Sequence, residues 1–249
     1  MKISATIISF NEEERIEATL RSLDFVDEIV VVDAYSSDAT VEIARRYGAK
    51  VYLKEWKGYA SQRNFALKVA TYDWILNIDA DEVVSPQLRE EILKIKEKEP
   101  DCDAFLIKRR TFYLGKPILH CGWYPEEAPR LFRKEKARWE GEYVHERLIV
   151  EGKRRKLSGE VLHYSYRSFS EHVERTVRYA KLWAKRERGR RVTLLHLLLG
   201  PPLSFLKVLL LQKGFLDGWR GVIISAMAAF YTFLKYSFAY TGGKDEGHN

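Results

Sequence analysis

The chain has 249 residues, 46% apolar and 31% charged, which excludes a disordered or low-complexity protein and allows one large or two small domains. Its formal net charge of +7 is uneven: 14 Lys and Arg stand against 19 Asp and Glu up to Pro100, then 28 against 16 beyond it. An acidic half suits a metal and a basic half an anionic partner, and a nucleic-acid binder is disfavoured because the best candidate site lies in the acidic half.

Residues 2–10 (KISATIISF) form an apolar, β-branched run that predicts a strand buried on both faces. Asn11, with Glu14 three residues on, is placed to cap the next helix, whose apolar stripe is Ile16, Leu20 and Leu23. A second strand is expected over 28–32, then a helix capped by Ser37 or Asp38 and stopped at Gly48. Residues 50–54 read as a third strand, 58–70 as a helix and 74–78 as a fourth strand. Ser85-Pro86 starts a helix with Pro at its first position. This βαβαβαβα order calls for a parallel sheet with right-handed crossovers, whose ligands bind at the carboxyl ends of the strands. Asn11, Asp33 and Asp79 all fall on that rim.

The acidic stretch Asn77-Ile78-Asp79-Ala80-Asp81-Glu82 follows the fourth strand. Two aspartates one residue apart at a strand end can reach a hard divalent cation, which shares its other positions with water and phosphates. The alternative is a solvated acidic turn. Neither GxGxxG nor GxxxxGK[ST] occurs, and Gly48 and Gly58 are the only glycines in the first hundred residues. A Gly-rich phosphate cradle is therefore disfavoured, and a bound pyrophosphate would need a cation. The same absence argues against a sugar-nucleotide pyrophosphorylase.

Past Asp101 the alternation changes. Strands are expected over 104–109, 130–133, 147–150 and 161–164, with an irregular aromatic span at 112–129 and a long basic helix from Ser168 or Ser170 to about Arg188. Residues 192–211 and 222–234 are apolar, but Pro201-Pro202 breaks the first and the second has 13 residues. A spanning helix needs roughly 20 uninterrupted apolar residues, so short helices lying in a membrane surface beside Arg186, Arg188, Arg190 and Arg191 are expected instead. A buried helical pair or a dimer interface is the alternative. Cys102 and Cys121 show no ligand spacing, and no signal-peptide pattern opens the chain, so the cytosol is the expected compartment.

Several motifs in order carry a family resemblance: TIISFNEE, VVDAYSSDAT, GYASQRNFAL, DADE, PRLFR, VHE at 144–146, LHYSY and GFLDGWRG. The chain resembles inverting family 2 glycosyltransferases of the GT-A fold, especially bacterial enzymes that add a β-linked glucose to the lipopolysaccharide inner core. The fold class implied is α/β, a Rossmann-like and mostly parallel sheet flanked by helices, with a C-terminal helical, membrane-associating extension. Residues 1–100 would form the nucleotide-sugar-binding half, 101–167 the acceptor-binding and catalytic half, and 168–249 the membrane-associating helices.

The resemblance also implies roles. Asn11, Glu12, Asp33, Arg63, Asn64 and Asp79 would bind the donor nucleotide. Asp81 and Asp79 would hold Mg²⁺ or Mn²⁺, with His163 as a third ligand. The cation would act as a Lewis acid on the departing diphosphate. An inverting reaction needs one carboxylate as general base. The ED pair common in the family is missing after Cys102, so Glu146 is the candidate base, with Glu142 as fallback and His145 at the diphosphate or the acceptor. Arg130 and Arg133 point to opposite faces of one strand, and Arg130 is the candidate for donor phosphate or an acidic acceptor. Trp123 and Tyr124 would stack on an acceptor sugar or belong to the core. The expected activity is transfer of a hexose, glucose from UDP-glucose, to a lipid-linked saccharide such as the lipopolysaccharide inner core, at the cytoplasmic face of the inner membrane. Transfer to a polyprenyl-phosphate, a nucleotidyltransferase or hydrolase, and a non-catalytic UDP-sugar-binding membrane protein are the alternatives.

Overall fold

Strands β1 (Ile3–Ser9) and β2 (Glu28–Asp33) are buried on both faces, as unbroken β-branched runs require in a covered parallel sheet. Successive residues of β2 serve opposite sides: Val31 packs with Ile3, Ile7, Leu20 and Leu76, while Val30 and Val32 pack with Ala66, Leu67 and Ile75. This computed structural model describes residues 1–141, 147–166, 168–187 and 191–241. The chain divides into two compact units, Met1–Arg109 with Glu126–His163, and Arg110–Pro125 with Tyr164–Asn249.

In the first unit, helix α1 (Ile16–Arg21) joins β1 to β2, and α2 (Thr40–Arg46) leads to β3 (Lys50–Leu53). Helix α3 (Tyr59–Val69) leads to β4 (Trp74–Asn77). The pairs β1–β2, β1–β4 and β2–β3 are all parallel, in the order β3-β2-β1-β4. That order reverses direction between β1 and β4, which makes their carboxyl ends the switch point where such sheets hold ligands.

Beyond β4 the sheet becomes mixed. A three-residue strand, β5 (Glu82–Val84), precedes α4 (Pro86–Lys96), and the long strand β6 (Ala104–Tyr113) follows. After the short β7 (Lys116–Pro117), strand β8 (Glu126–Arg133) pairs antiparallel with both β4 and β6. Strands β9 (Ala137–Glu140) and β10 (Arg147–Val150) form a separate antiparallel pair. The strand β11 (Arg154–Tyr166) lies between β6 and β5, and pairs antiparallel with β5 at Val161↔Val84 and His163↔Glu82. Gly159 permits this closure: a Cβ there would lie 2.4 Å from the Leu88 backbone of α4. The motifs implied a Rossmann-like, mostly parallel sheet flanked by helices; the α/β class and the flanking helices are present, with β3-β2-β1-β4 parallel and the strands beyond β4 antiparallel.

Some local expectations need correction. Asn11 does not cap α1, whose first residue is Ile16; its Oδ1 instead accepts from the Ser37 amide at 2.9 Å, tying the loop after β1 to the loop after β2. Asn11 has φ +54, a left-handed conformation that Asn tolerates and a helix cap does not use. Ser85 does cap α4, accepting from the Leu88 amide, with Pro86 at the first position.

In the second unit, Ser168 caps α5 (Phe169–Arg186) by accepting from the Glu171 amide. Pro201 and Pro202 do not break the apolar run: α6 (Leu194–Leu206) continues through both and extends by one π-helical turn, 207–211. Packing holds it. A Cβ on Gly200 would meet Tyr236 and Thr232 of α7 (Trp219–Tyr240) at 2.9 and 3.1 Å, and the Ser204 and Thr232 hydroxyls hydrogen-bond at 2.8 Å. Each proline removes one intrahelical donor, and these side contacts offset the loss.

Candidate active site

The donor-side loops are built on the ends of β1 and β2. Asp33 is fully buried, and its carboxylate accepts from the Ser9 hydroxyl at 2.7 Å, the Ser36 amide at 2.7 Å and the Ser36 hydroxyl at 2.6 Å. Glu12 pairs with Arg15 at 2.7 Å, and its amide donates to the Thr40 hydroxyl. Asn11, Glu12 and Asp33 thus come together, knitting two loops at one edge of the switch point. Asp38 belongs to the same knot, accepting from the Thr40 amide and hydroxyl, and these bonds hold its carboxyl below the usual range against the opposing effect of burial.

Two strand spacings away, about 10 Å, the acidic stretch after β4 lies in a network of guanidinium groups. Arg63, on the first turns of α3, is buried; it donates to Asn77 Oδ1 at 3.0 Å and to Asp79 Oδ1 at 2.7 Å. Arg130 of β8 sends a fork to Glu82, at 3.1 and 2.9 Å, and lies 3.9 Å from Asp79. Arg109 of β6 approaches Glu82 at 3.7 Å. Burial raises Asp79, but the charges of Arg63 and Arg130 outweigh it and hold its carboxyl well below the ordinary range. Burial pushes Glu82, which has no exposed surface, above its ordinary value despite Arg130. Arg133 turns the other way, over the Trp74 ring and towards Glu99, so strand parity separates the two arginines as expected.

Asp81 stands apart from Asp79. Because β5 begins at Glu82 and pairs with β11 at His163, Asp81 is carried next to His163, and its Oδ2 lies 3.3 Å from Nε2. The sequence-predicted metal set is therefore brought together in part. Asp81 and His163 converge, while Asp79 faces Arg63 and Arg130. Among the described residues, no three His, Cys, Asp or Glu side chains form a metal-holding group. A carboxylate and an imidazole nevertheless fit a divalent cation that takes most of its ligands from a bound diphosphate and water.

Asn64 uses both ends of its amide on Trp139: Nδ2 donates to the Trp139 carbonyl at 2.8 Å, and Oδ1 accepts from its amide at 2.9 Å. Arg63 stacks over the Trp139 ring at 4.6 Å. The pair Arg63-Asn64 thus joins the Asp79 carboxylate to β9. Glu142, His145 and Glu146, the candidate base residues and their neighbour, lie outside the described residues. Trp123 and Tyr124 belong to the second unit. There Trp123 packs against Tyr113, Tyr166 and His172, and Arg110 lies 5.7 Å from the Tyr124 ring.

Sequence reasoning missed Glu82, Arg109 and Trp139. The only hint for Glu82 was its place as the third carboxylate of the acidic stretch, and for Arg109 its place in the run Lys108-Arg109-Arg110. Nothing local marked Trp139.

Residues 4–148 match the family model described as Glycosyl transferase family 2. An uncharacterised glycosyltransferase of Rickettsia typhi is 33% identical over 94% of this chain and 85% of its own length. The lipopolysaccharide core biosynthesis glycosyltransferase LpsC of Rhizobium meliloti is 30% identical over 96% of this chain and 92% of its own. Among solved structures, S. aureus TarS 1-349 in complex with UDP-GlcNAc aligns with TM-score 0.48 and 17% identity, over 99% of this chain and 91% of that one.

Proposed function

The chain belongs to glycosyltransferase family 2, and we propose that it moves glucose from UDP-glucose, with inversion, to a lipid-linked saccharide of the lipopolysaccharide inner-core type. The observation that carries the donor side is the meeting of Asp81 with His163 at 3.3 Å in the acidic stretch after β4, whose Asp79 is held by Arg63 and Arg130. The acceptor class draws on the likeness to LpsC over nearly the full length of both chains.

In this reading Asp81 and His163 hold a Mg²⁺ or Mn²⁺ ion, which supplies Lewis-acid stabilisation to the departing diphosphate. Asp33 and Asn11, with the loops they knit, form the nucleoside end. Asp79 is kept ionised by Arg63 and Arg130, and Arg130 is the nearer of the two arginines on β8 to a donor phosphate. Glu146 takes the proton from the acceptor hydroxyl, with Glu142 as the other candidate.

The test is a panel of nucleotide sugars titrated calorimetrically with and without Mn²⁺ or Mg²⁺, followed by transfer to purified lipid A bearing inner-core sugars. UDP-glucose should bind with the cation and less well to Asp81→Ala and His163→Ala, and the product should carry a β linkage. Unchanged donor affinity in Asp81→Ala would sink the metal role. Release of free sugar phosphate would favour a nucleotidyltransferase or hydrolase, and donor binding without turnover on any acceptor would favour a non-catalytic protein.

A further inference from the structure

Within the second unit, α5, α7 and α6 pack in a graded series. Helix α5 carries the charged residues Glu171, Glu174, Arg175, Arg178, Lys181, Lys185 and Arg186, and it packs along α7. At one end Trp183 meets Tyr236 at 5.7 Å between rings and Lys235 lies over Trp183. At the other end His172 hydrogen-bonds Tyr113, which shares a small core with Ile224 of α7. Helix α6 also packs on α7, through His196 and Gly200 against Tyr236, and no residue of α6 or of the π turn that extends it is buried. Leu195, Leu198, Leu203 and Leu211 are each more than 60% exposed, and Phe215, Leu216 and Trp219 continue the surface around the turn into α7. An apolar surface this extended calls for a partner.

Length and composition would allow Leu194–Leu211 and Trp219–Tyr240 to cross a bilayer. The packing opposes it. A spanning α7 would draw α5, with its seven charged side chains, through the hydrocarbon core. The turn between α6 and α7 is also tied down. The Asp217 carboxylate accepts from the amides of Leu119 and His120, at 3.1 and 2.9 Å, and the Gln212 carbonyl accepts from the Cys121 amide at 3.0 Å. Arg220 donates to the carbonyls of Tyr113 and Leu114. The motif GFLDGWRG is this clasp, and its tightness shows at Gly221, where a Cβ would fall 1.7 Å from the Gly214 carbonyl oxygen.

We propose that the α6–α7 pair lies in the plane of an anionic membrane surface without crossing it, with the leucine face of α6 and the turn Phe215–Trp219 entering the headgroup boundary. Charge selects the occupant. Between Glu187 and Asp217 the sequence holds no acidic residue, while Arg191, Lys207 and Lys213 are basic and exposed or flank the leucines. A second copy of the chain would present the same cations and repel them, whereas anionic headgroups neutralise them. The inference rests on the second unit alone and stands whether or not the proposed transfer reaction is correct.

The experiment uses the full chain and vesicles of neutral phosphatidylcholine, with or without anionic phosphatidylglycerol. The protein should float with the anionic vesicles. Leu198→Gln with Leu203→Gln, both at exposed positions, should weaken partition about tenfold or more. Lys207→Gln or Lys213→Gln should weaken it about fivefold each on anionic vesicles and leave neutral ones unaffected. Cysteines introduced at Lys213→Cys and Glu174→Cys should both react with a membrane-impermeant maleimide added outside. Reaction of Lys213→Cys only after detergent would overturn the in-plane arrangement. A protein that ignores vesicles and instead dimerises, with dimer lost in the leucine variant, would overturn the membrane as occupant.

Discussion

Replacing Arg130 with methionine should be among the most destabilising single changes in the first unit. The side chain of Glu82 is wholly buried, and Arg130 supplies two of its hydrogen bonds and the largest opposing charge. Removing one partner of a buried pair leaves an uncompensated charge, a loss of about 3–5 kcal/mol. For a chain of this size that corresponds to a fall in Tm of roughly 6–20 °C. Arg109, at 3.7 Å, offers only partial replacement. The paired change Glu82→Leu with Arg130→Met removes both charges together and should recover most of the loss. The deficit of the single variant should also depend on pH. Glu82 titrates above its ordinary value, so its contribution is present below the unfolded pKa and is lost as pH rises through the folded one. Without Arg130 the folded pKa rises further, and the deficit measured by thermal unfolding should therefore shrink between pH 7.5 and pH 5. A single variant within about 1 kcal/mol of the parent, or a double variant as unstable as the sum of its parts, would refute the account.

Other outcomes test separate parts. His172 is buried among Tyr113, Trp123 and Tyr166, and burial with the nearby charge of Arg175 lowers its pKa to about 4. The stability it contributes is present above its unfolded value and lost as pH falls from about 6.5 to 4, by on the order of 2 kcal/mol after screening. The variant His172→Phe should flatten that acid limb in a pH series of unfolding midpoints. Asn64→Ala should remove both bonds to Trp139 and cost about 1–3 kcal/mol, read as faster amide exchange in 137–140. In the proposed reaction, Glu146→Gln should keep donor binding and lose transfer; near-normal turnover would move the base to Glu142.

The parallel half of the first unit was legible because its determinants are local. The β-branched runs of β1 and β2 and Ser85-Pro86 before α4 each act within a few residues, as does Ser168 before α5 in the second unit. The strand β5 could not be read in the same way. Three residues carry no periodicity, and their partners in β11 lie far along the chain, in the pairs Val161↔Val84 and His163↔Glu82. The pairing of Asp81 with His163 follows from that register, so the two could be nominated separately but not placed together. Asn11 looked like a cap because an Asn followed by Glu14 is the usual signal, and the competing bond to Ser37 comes from another loop. Pro201-Pro202 looked like a break because the contacts that hold the helix come from α7.

The two aspartates of the acidic stretch are chemically distinct in a way that spacing alone hides. Asp79 has Arg63 at 2.7 Å and Arg130 at 3.9 Å, so a cation placed on it would have to compete with two guanidinium groups. Asp81 faces an imidazole, which in its neutral form is itself a metal ligand and adds no repulsion. In the proposed site the direct ligand is therefore Asp81, and Asp79 serves to hold Arg63. Arg63 then links that carboxylate to Trp139, and Trp139 lies on β9, whose hairpin partner β10 begins at Arg147, immediately after Glu146. Arg63, with Asn64 beside it, thus ties the proposed donor end to β9. Arg63→Lys keeps the charge but loses the planar stack and the fork. It should leave Asp79 ionised yet loosen β9.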